Sequence, residues 1–181
     1  MISELGRKKI EYLIDLGLRD LDNKPWARRA ATDKDIDEVN TSFADFELTG
    51  TNVPTLPEDY AEFLKINDGY EENGMRFFGT KNLVFDSRYA LSSLYERNAY
   101  YHENLIGLSN SLVIGEFDDD IYLYSAEDGK YYSADCDTLV AIDEYDSFEN
   151  LFIWEAGQLL FSTRDGEEEK FDSLFSEGRE E

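Results

Sequence analysis

Few residues in this chain can do chemistry, and they are poorly placed for catalysis. His102 is the sole histidine and Cys136 the sole cysteine. A two-histidine metal site and an intrachain disulfide are therefore excluded, and a hydrolytic triad would have to run through His102 alone. His102 follows Tyr100-Tyr101 at what reads as a helix end, where a half-buried structural imidazole is the ordinary occupant. Cys136 lies between Asp135 and Asp137, whose charges oppose its thiolate and hence its use as a nucleophile. The chain contains no Gly-x-Ser-x-Gly elbow and no phosphate-cradling glycine loop.

Carboxylates are abundant, so calcium binding has to be tested by spacing. A loop begun at Asp135 places Asp137 third, but it has Leu139 fifth, Val140 where glycine is required and Asp146 last, which is not an EF-hand. Asp118-Asp119-Asp120 reads as a solvated turn rather than a cation site. These residues predict no cofactor, no metal and no catalytic activity. Two carboxylates sharing acid and base roles are the one enzymatic alternative they leave open.

The formal net charge is −24 over 181 residues, and it is unevenly spread. Residues 1–100 hold 13 Lys/Arg against 19 Asp/Glu, a balance of −6, whereas residues 101–181 hold 4 against 22, a balance of −18. Such a field repels phosphate backbones and anionic lipid, disfavouring direct binding to nucleic acid or membrane, and it accelerates encounter with a basic protein. Solubility alone is the plainer use of the same charge. A 41% hydrophobic share with 14% aromatic excludes wholesale disorder. With no bilayer-length apolar run and no leader-like start, a cytoplasmic location is expected.

The elements that would position these groups follow from periodicity. Residues 3–17 form an amphipathic helix, and the acidic run Asp33 to Glu38, capped by Thr32, predicts a second. Between them lie Pro25-Trp26 and Arg28-Arg29, with Trp26 read as a core plug of an N-terminal helical extension over 1–53. The segment Leu56-Pro57-Glu58-Asp59-Tyr60-Ala61-Glu62-Phe63-Leu64-Lys65-Ile66-Asn67-Asp68-Gly69 writes a complete short helix. Pro57 fits its first position, two acids follow at the positive end of the dipole, and Asn67-Asp68-Gly69 stops it. Leu56, Tyr60, Phe63, Leu64 and Asn67 form its buried stripe.

Two short apolar runs, 76–79 and 82–85, come next, and a helix capped by Asp86 or Ser87 is expected to reach about Tyr100, with Ala90, Leu91, Leu94 and Tyr95 on one side. The period then changes to that of an antiparallel meander, with strands at 105–108, 112–117, 121–124, 131–133 and 139–142 separated by acidic turns. A helix from Phe148 to about Gly157, capped by Ser147 or Asp146, closes an α+β core over 54–157. The acidic tail over 158–181 carries too much charge to pack, apart from a short turn at Phe171, Leu174 and Phe175.

The Leu-Pro, Tyr60, Phe63-Leu64 and Asn-x-Gly run resembles the opening of the SUKH superfamily, which holds yeast cell-wall assembly regulators and bacterial toxin-immunity proteins. Ile114 to Tyr124 is similar to that family's central strand pair, Gly129 to Tyr132 to its next strand, and Ser147-Phe148-Glu149-Asn150-Leu151-Phe152 to its closing helix. The flavour is closest to the YrhA-like bacterial branch. Asp68, inserted between Asn67 and Gly69, departs from the pattern.

The resemblance implies a SUKH-like antiparallel meander sheet flanked by helices. It also implies a bacterial immunity protein neutralising a cognate basic toxin, for which a nuclease would suit the charge. The expected partner-binding residues are Asp118, Asp119, Asp120, Asp135, Asp137, Asp143 and Glu144, with Tyr122, Tyr124, Tyr131 and Tyr132 as anchors or, equally, as strand packing. A regulatory scaffold binding a cellular partner is the alternative suggested by the eukaryotic relatives.

Overall fold

The computed structural model describes residues 1–18, 29–47, 52–86, 89–105 and 107–176. Pro25, Trp26, Arg28, Ser87 and Ile106 lie outside them. The elements, in chain order, are α1 (Glu4–Leu18), α2 (Asp33–Glu47), α3 (Glu58–Ile66), β1 (Tyr70–Glu72), β2 (Met75–Phe77), β3 (Leu83–Asp86), β4 (Tyr89–Leu91), α4 (Leu94–Asn104), β5 (Ser111–Phe117), β6 (Asp120–Ser125), β7 (Lys130–Asp135), β8 (Ala141–Tyr145), α5 (Phe148–Thr163) and α6 (Glu167–Phe175).

The fold is α+β. Six strands form one sheet in the order β1-β2-β5-β6-β7-β8, with every pair antiparallel, and β3-β4 is a separate hairpin inserted between β2 and α4. Helix α5 packs on β7 and β8 and also contacts α1 and α3.

Helix α3 forms as its residues dictate. Pro57 sits one step outside the position expected for it, as the N-cap in extended conformation (φ −61°, ψ 147°). The whole apolar stripe of Leu56, Tyr60, Phe63 and Leu64 is buried. The Phe63 ring lies 4.7 Å from Phe148, 5.1 Å from Phe152 and 6.2 Å from Phe77, centroid to centroid. The Tyr60 hydroxyl meets two carbonyl oxygens, Phe78 at 2.7 Å and Ile114 at 3.0 Å, beside a β-bulge between Val113 and Gly115, and the Ile114 oxygen also accepts the Phe78 N–H at 2.9 Å.

Asp68, the inserted residue, is buried and organises the next turn. Its carboxylate accepts the Thr80 N–H at 2.6 Å and the Thr80 hydroxyl at 2.8 Å. Gly69 beside it has φ +90° and backs onto Gly79, so neither position has room for a side chain.

The helix expected from Asp86 or Ser87 begins later. Asp86 pairs with Tyr89 in the β3-β4 hairpin, and Ser93 is the cap, its hydroxyl accepting the Glu96 N–H at 3.2 Å. Ala90 and Leu91 therefore belong to a strand. Helix α4 then supplies Asn98, fully buried, whose side chain donates to the Val113 carbonyl (2.8 Å) and accepts the Val113 N–H (2.9 Å). It thus takes the place of a strand where β2 no longer reaches.

The expected strand over 105–108 is absent among the described residues there. Leu105 is the C-cap of α4, and Gly107 turns the chain with φ +111°. The last strand starts two residues later than its pattern suggested, because Leu139 adopts φ +55°.

The N-terminal helices share the main core, with Ile10, Leu13, Ile14, Leu16, Val39 and Phe43 all buried in it. Helix α2 opens with a capping box. The Thr32 hydroxyl accepts the Asp35 N–H at 3.2 Å, and the Asp35 carboxylate accepts the Thr32 N–H at 2.9 Å.

The tail, expected to be too charged to pack, packs over its described residues 158–176. Helix α5 continues to Thr163, and α6 buries Phe171 against Tyr12 (5.7 Å) and Phe161 (5.3 Å). Phe171 and Phe175 fall on one face at i, i+4 spacing, which outweighs the surrounding charge, while Leu174 stays exposed.

Because Phe63 touches four other core rings, those of Tyr60, Phe77, Phe148 and Phe152, Phe63→Ala is expected to cost about 3–5 kcal/mol, the usual loss for a large buried aromatic. Urea denaturation with an unchanged slope would report it. Asn98→Leu is expected to cost about 2–4 kcal/mol by leaving both Val113 backbone groups unpaired; an unchanged midpoint would show that those groups find other partners.

Candidate functional site

The predicted acidic residues divide into three locations. The β5-β6 and β7-β8 turns lie side by side at one end of the sheet, joined by a bond from the Cys136 N–H to the Asp119 carbonyl at 2.9 Å. That bond brings Asp118, Asp119, Asp120, Asp135 and Asp137 together. Asp118 holds φ +50°, a left-handed conformation that favours glycine. In the other turn, Asp135 accepts the Thr138 N–H at 2.8 Å and its hydroxyl at 2.6 Å, and these bonds hold its carboxyl below the usual range.

Asp143 stands elsewhere, on the helix-facing side of β8 beside Glu155 of α5, as its pairing with buried Ser133 requires. Glu144 points to the opposite face and is ion-paired with Lys130, which also lies 3.8 Å from Asp146.

Among the described residues, none of Asp118, Asp119, Asp120, Asp135, Asp137 and Asp143 forms an ion pair. The lack of cations weighs on the carboxyl groups themselves. Burial pushes the Asp120 carboxyl up, and the charges of Asp135, Asp119 and Asp118 push it further. Glu155 is raised first by burial and then by Asp143 and Asp120, against two stabilising hydroxyls: Tyr145 donates to it at 2.6 Å and Tyr122 at 3.2 Å. Sequence reading missed Glu155, because a carboxylate on a helix gives no signal of the tyrosines that will face it.

The tyrosines need correction. Tyr122 and Tyr131 are core residues rather than partner anchors. Tyr122 stacks on Phe77 at 5.0 Å with an interplanar angle of 12°, and Tyr131 donates its hydroxyl to buried Asp59. Strand pairing sets Tyr124 opposite Tyr131, with the rings 5.1 Å apart, and so holds Tyr124 half-buried on the same face. Tyr132 is on the other face and bonds Asp128 at 2.6 Å. On or near β8 and α5, the apolar groups that reach the surface include Val140 (63% exposed), Ile142 (53%) and Trp154 (56%).

His102 is the half-buried structural residue expected of it. Its Nε2 lies 3.1 Å from the Ser111 carbonyl oxygen, so that nitrogen carries the proton, and burial lowers its pKa. Burial raises the Cys136 thiol, with Asp137, Asp135 and Asp119 adding to the shift, so the thiolate is disfavoured. Among the described residues no group of His, Cys, Asp and Glu could hold a metal ion, and no helix is long and apolar enough to cross a membrane.

These features define a class: an antiparallel α+β protein with an acidic end that no cation compensates among the described residues. No family model matches the chain, and no curated protein matches it.

Asp120 and Glu155 bind their protons more tightly folded than unfolded. Their stabilising contribution is complete below the unfolded carboxyl range and is lost as pH rises through their raised folded values. Asp35 and Asp135, held low, act in the opposite sense, losing their contribution as pH falls through their folded values. Melting temperature is therefore expected to rise on mild acidification from neutrality and to fall at stronger acid. The double variant Asp120→Asn, Glu155→Gln should flatten the first slope in a scan of melting temperature against pH; a slope identical to wild type would assign it to other groups.

Proposed function

We propose that this chain is a non-catalytic cytoplasmic binding protein, an immunity protein of SUKH type that neutralises a cognate basic bacterial toxin. A toxin acting on nucleic acid, which needs positive charge to hold phosphate, fits best. The observation that carries this reading is the cluster of five aspartates on two bonded turns, with no cationic partner among the described residues and with Asp120 raised by burial and then further by its neighbours' charges. Such an arrangement is unfavourable in isolation and is relieved by a partner of opposite sign. The strained φ of Asp118 points the same way, since glycine would sit there more comfortably but without charge.

In this mechanism the acidic end steers the encounter through its long-range field, and short-range apolar contact sets the lifetime of the complex. Reversing Asp118, Asp119 and Asp120 to lysine is expected to slow association with the basic toxin domain by about tenfold or more at low salt and to flatten its salt dependence, leaving dissociation nearly unchanged. Stopped-flow association at several ionic strengths checks this. A wild-type rate independent of salt, or a footprint confined to residues 1–55, would remove the acidic end from the interface.

A further inference from the structure

One surface feature is explained neither by the core nor by the acidic turns. A groove of about 460 Å³ runs along α5 between β8 and α6, with Ile153, Phe161 and Phe171 among its lining residues, Trp154 on one side, and Glu168 and Asp172 on the other. Trp154 is more than half exposed, although a tryptophan normally buries its large ring. Gly157, in the middle of the 16-residue helix α5, also lines the groove, and a Cβ there would come within 3.3 Å of the Phe161 ring. Glycine inside a helix is unfavourable relative to alanine, so the space it leaves for Phe161 is the compensating gain.

The charge around the groove selects its occupant. Glu168 and Asp172 are one turn apart on α6, exposed, and in no ion pair among the described residues. Like charges at that spacing are mildly unfavourable by themselves. Glu149, also in the lining, is committed to the start of α1, accepting the Ser3 N–H and hydroxyl at 2.9 Å each. Among the described residues the one cation lining the groove, Lys9, already displays the matching chemistry, with its ammonium 5.9 Å above the Phe171 ring. A second copy of a chain carrying −24 would bring the same acidic wall against this one, and phosphate-bearing partners are repelled for the same reason.

We infer that this groove is the short-range anchor site for the basic protein partner, taking a segment in which apolar side chains alternate with arginine or lysine. The apolar side chains lie on Trp154, Ile153 and Phe161, and the flanking cations reach Glu168 and Asp172. The inference rests on the proposed basic partner and adds to it the residues that hold the partner after encounter. Tyr145, which lines the groove and bonds Glu155, makes the groove continuous with the acidic surface of Asp143 and Glu155.

The test uses two blocked pentapeptides at low salt. One alternates arginine with leucine and phenylalanine; the other has glutamate in place of each arginine. Binding is followed by the indole N–H resonance of Trp154, identified with Trp154→Phe, and by calorimetry. The basic peptide should shift that resonance and bind at least about tenfold more weakly to Trp154→Ala, and also more weakly to the Glu168→Gln, Asp172→Asn double variant, with melting temperatures unchanged. Equal affinity for wild type and Trp154→Ala, or equal binding of the acidic peptide, overturns the groove assignment. If in that case reversal of Asp118, Asp119 and Asp120 to lysine abolishes binding, the acidic-end reading stands without the groove. If wild type does not bind the basic peptide at all, both fall.

Discussion

The carboxylate of Asp59 is buried where α3, β7 and the start of α5 meet, and donors from all three elements converge on it. The Tyr60 N–H reaches Oδ1 at 3.0 Å, the Tyr131 hydroxyl bonds the same oxygen, and the Phe148 N–H reaches Oδ2 at 2.9 Å. Phe148 opens α5, so Asp59 satisfies one of the orphan amides of that helix while Ser147 satisfies another through Asn150, at 3.2 Å. Withdrawing this acceptor would strand two buried donors from distant parts of the chain, each costing about 1–3 kcal/mol. The nucleus of Phe63, Phe77, Phe148 and Phe152 is assembled beside this junction, with rings 4.7–6.2 Å apart. It depends on the junction for the relative placement of α3, α5 and the sheet. The same constraint removes Tyr131 from the surface.

The distribution of cations follows from similar demands. Arg97 lies over the rings of Tyr101 at 4.8 Å and Phe78 at 5.6 Å while pairing with Glu116. Arg76 reaches Glu116 at 3.2 Å and Glu71 at 3.5 Å, and Arg164 reaches Glu72 at 3.3 Å. Lys81 pairs with Asp35, whose carboxyl it holds far below the usual range. These cations serve to close half-buried carboxylates between elements, where an unpaired charge is costly. Few remain for residues 101–181, which carry only 4. The bare acidic end is thus the complement of a well-neutralised interior.

Much of this was legible in the sequence wherever local signals agreed. Helix α3 has proline, acids and a terminating Asn-Asp-Gly in order, and β5, β6 and β7 are apolar runs bounded by aspartates and Asp128-Gly129. Legibility failed where two local solutions competed. Asp86-Ser87 is as good a helix cap as Ser93, and only the pairing of β3 with β4 decides between them. Strand periodicity places Tyr122, Tyr124 and Tyr131 together on one face, but it cannot say that α3 and α5 cover that face. The tail misled because average charge was weighed above the spacing of Phe171 and Phe175, which lie with Tyr12 in a three-ring cluster at 4.9–5.9 Å. Glu155 and Trp154 carried no local signal, since their roles arise from what β8 and α6 bring beside them.

The β8 edge of the sheet carries its own protection against strand addition. Strand β8 leaves its outer backbone groups without a neighbouring strand, and a row of this kind invites pairing with any extended chain. A register shift opposite Ser133 and Ala134 makes Ile142 the extra residue of a bulge, which bends the edge away from flat strand addition. Asp143 and Glu144 then make a second copy of the same edge electrostatically unfavourable. Both devices act against like chains. The edge also stands beside the exposed Trp154 and the acidic turns, so the residues that guard it against self-association border the surface proposed for the basic partner.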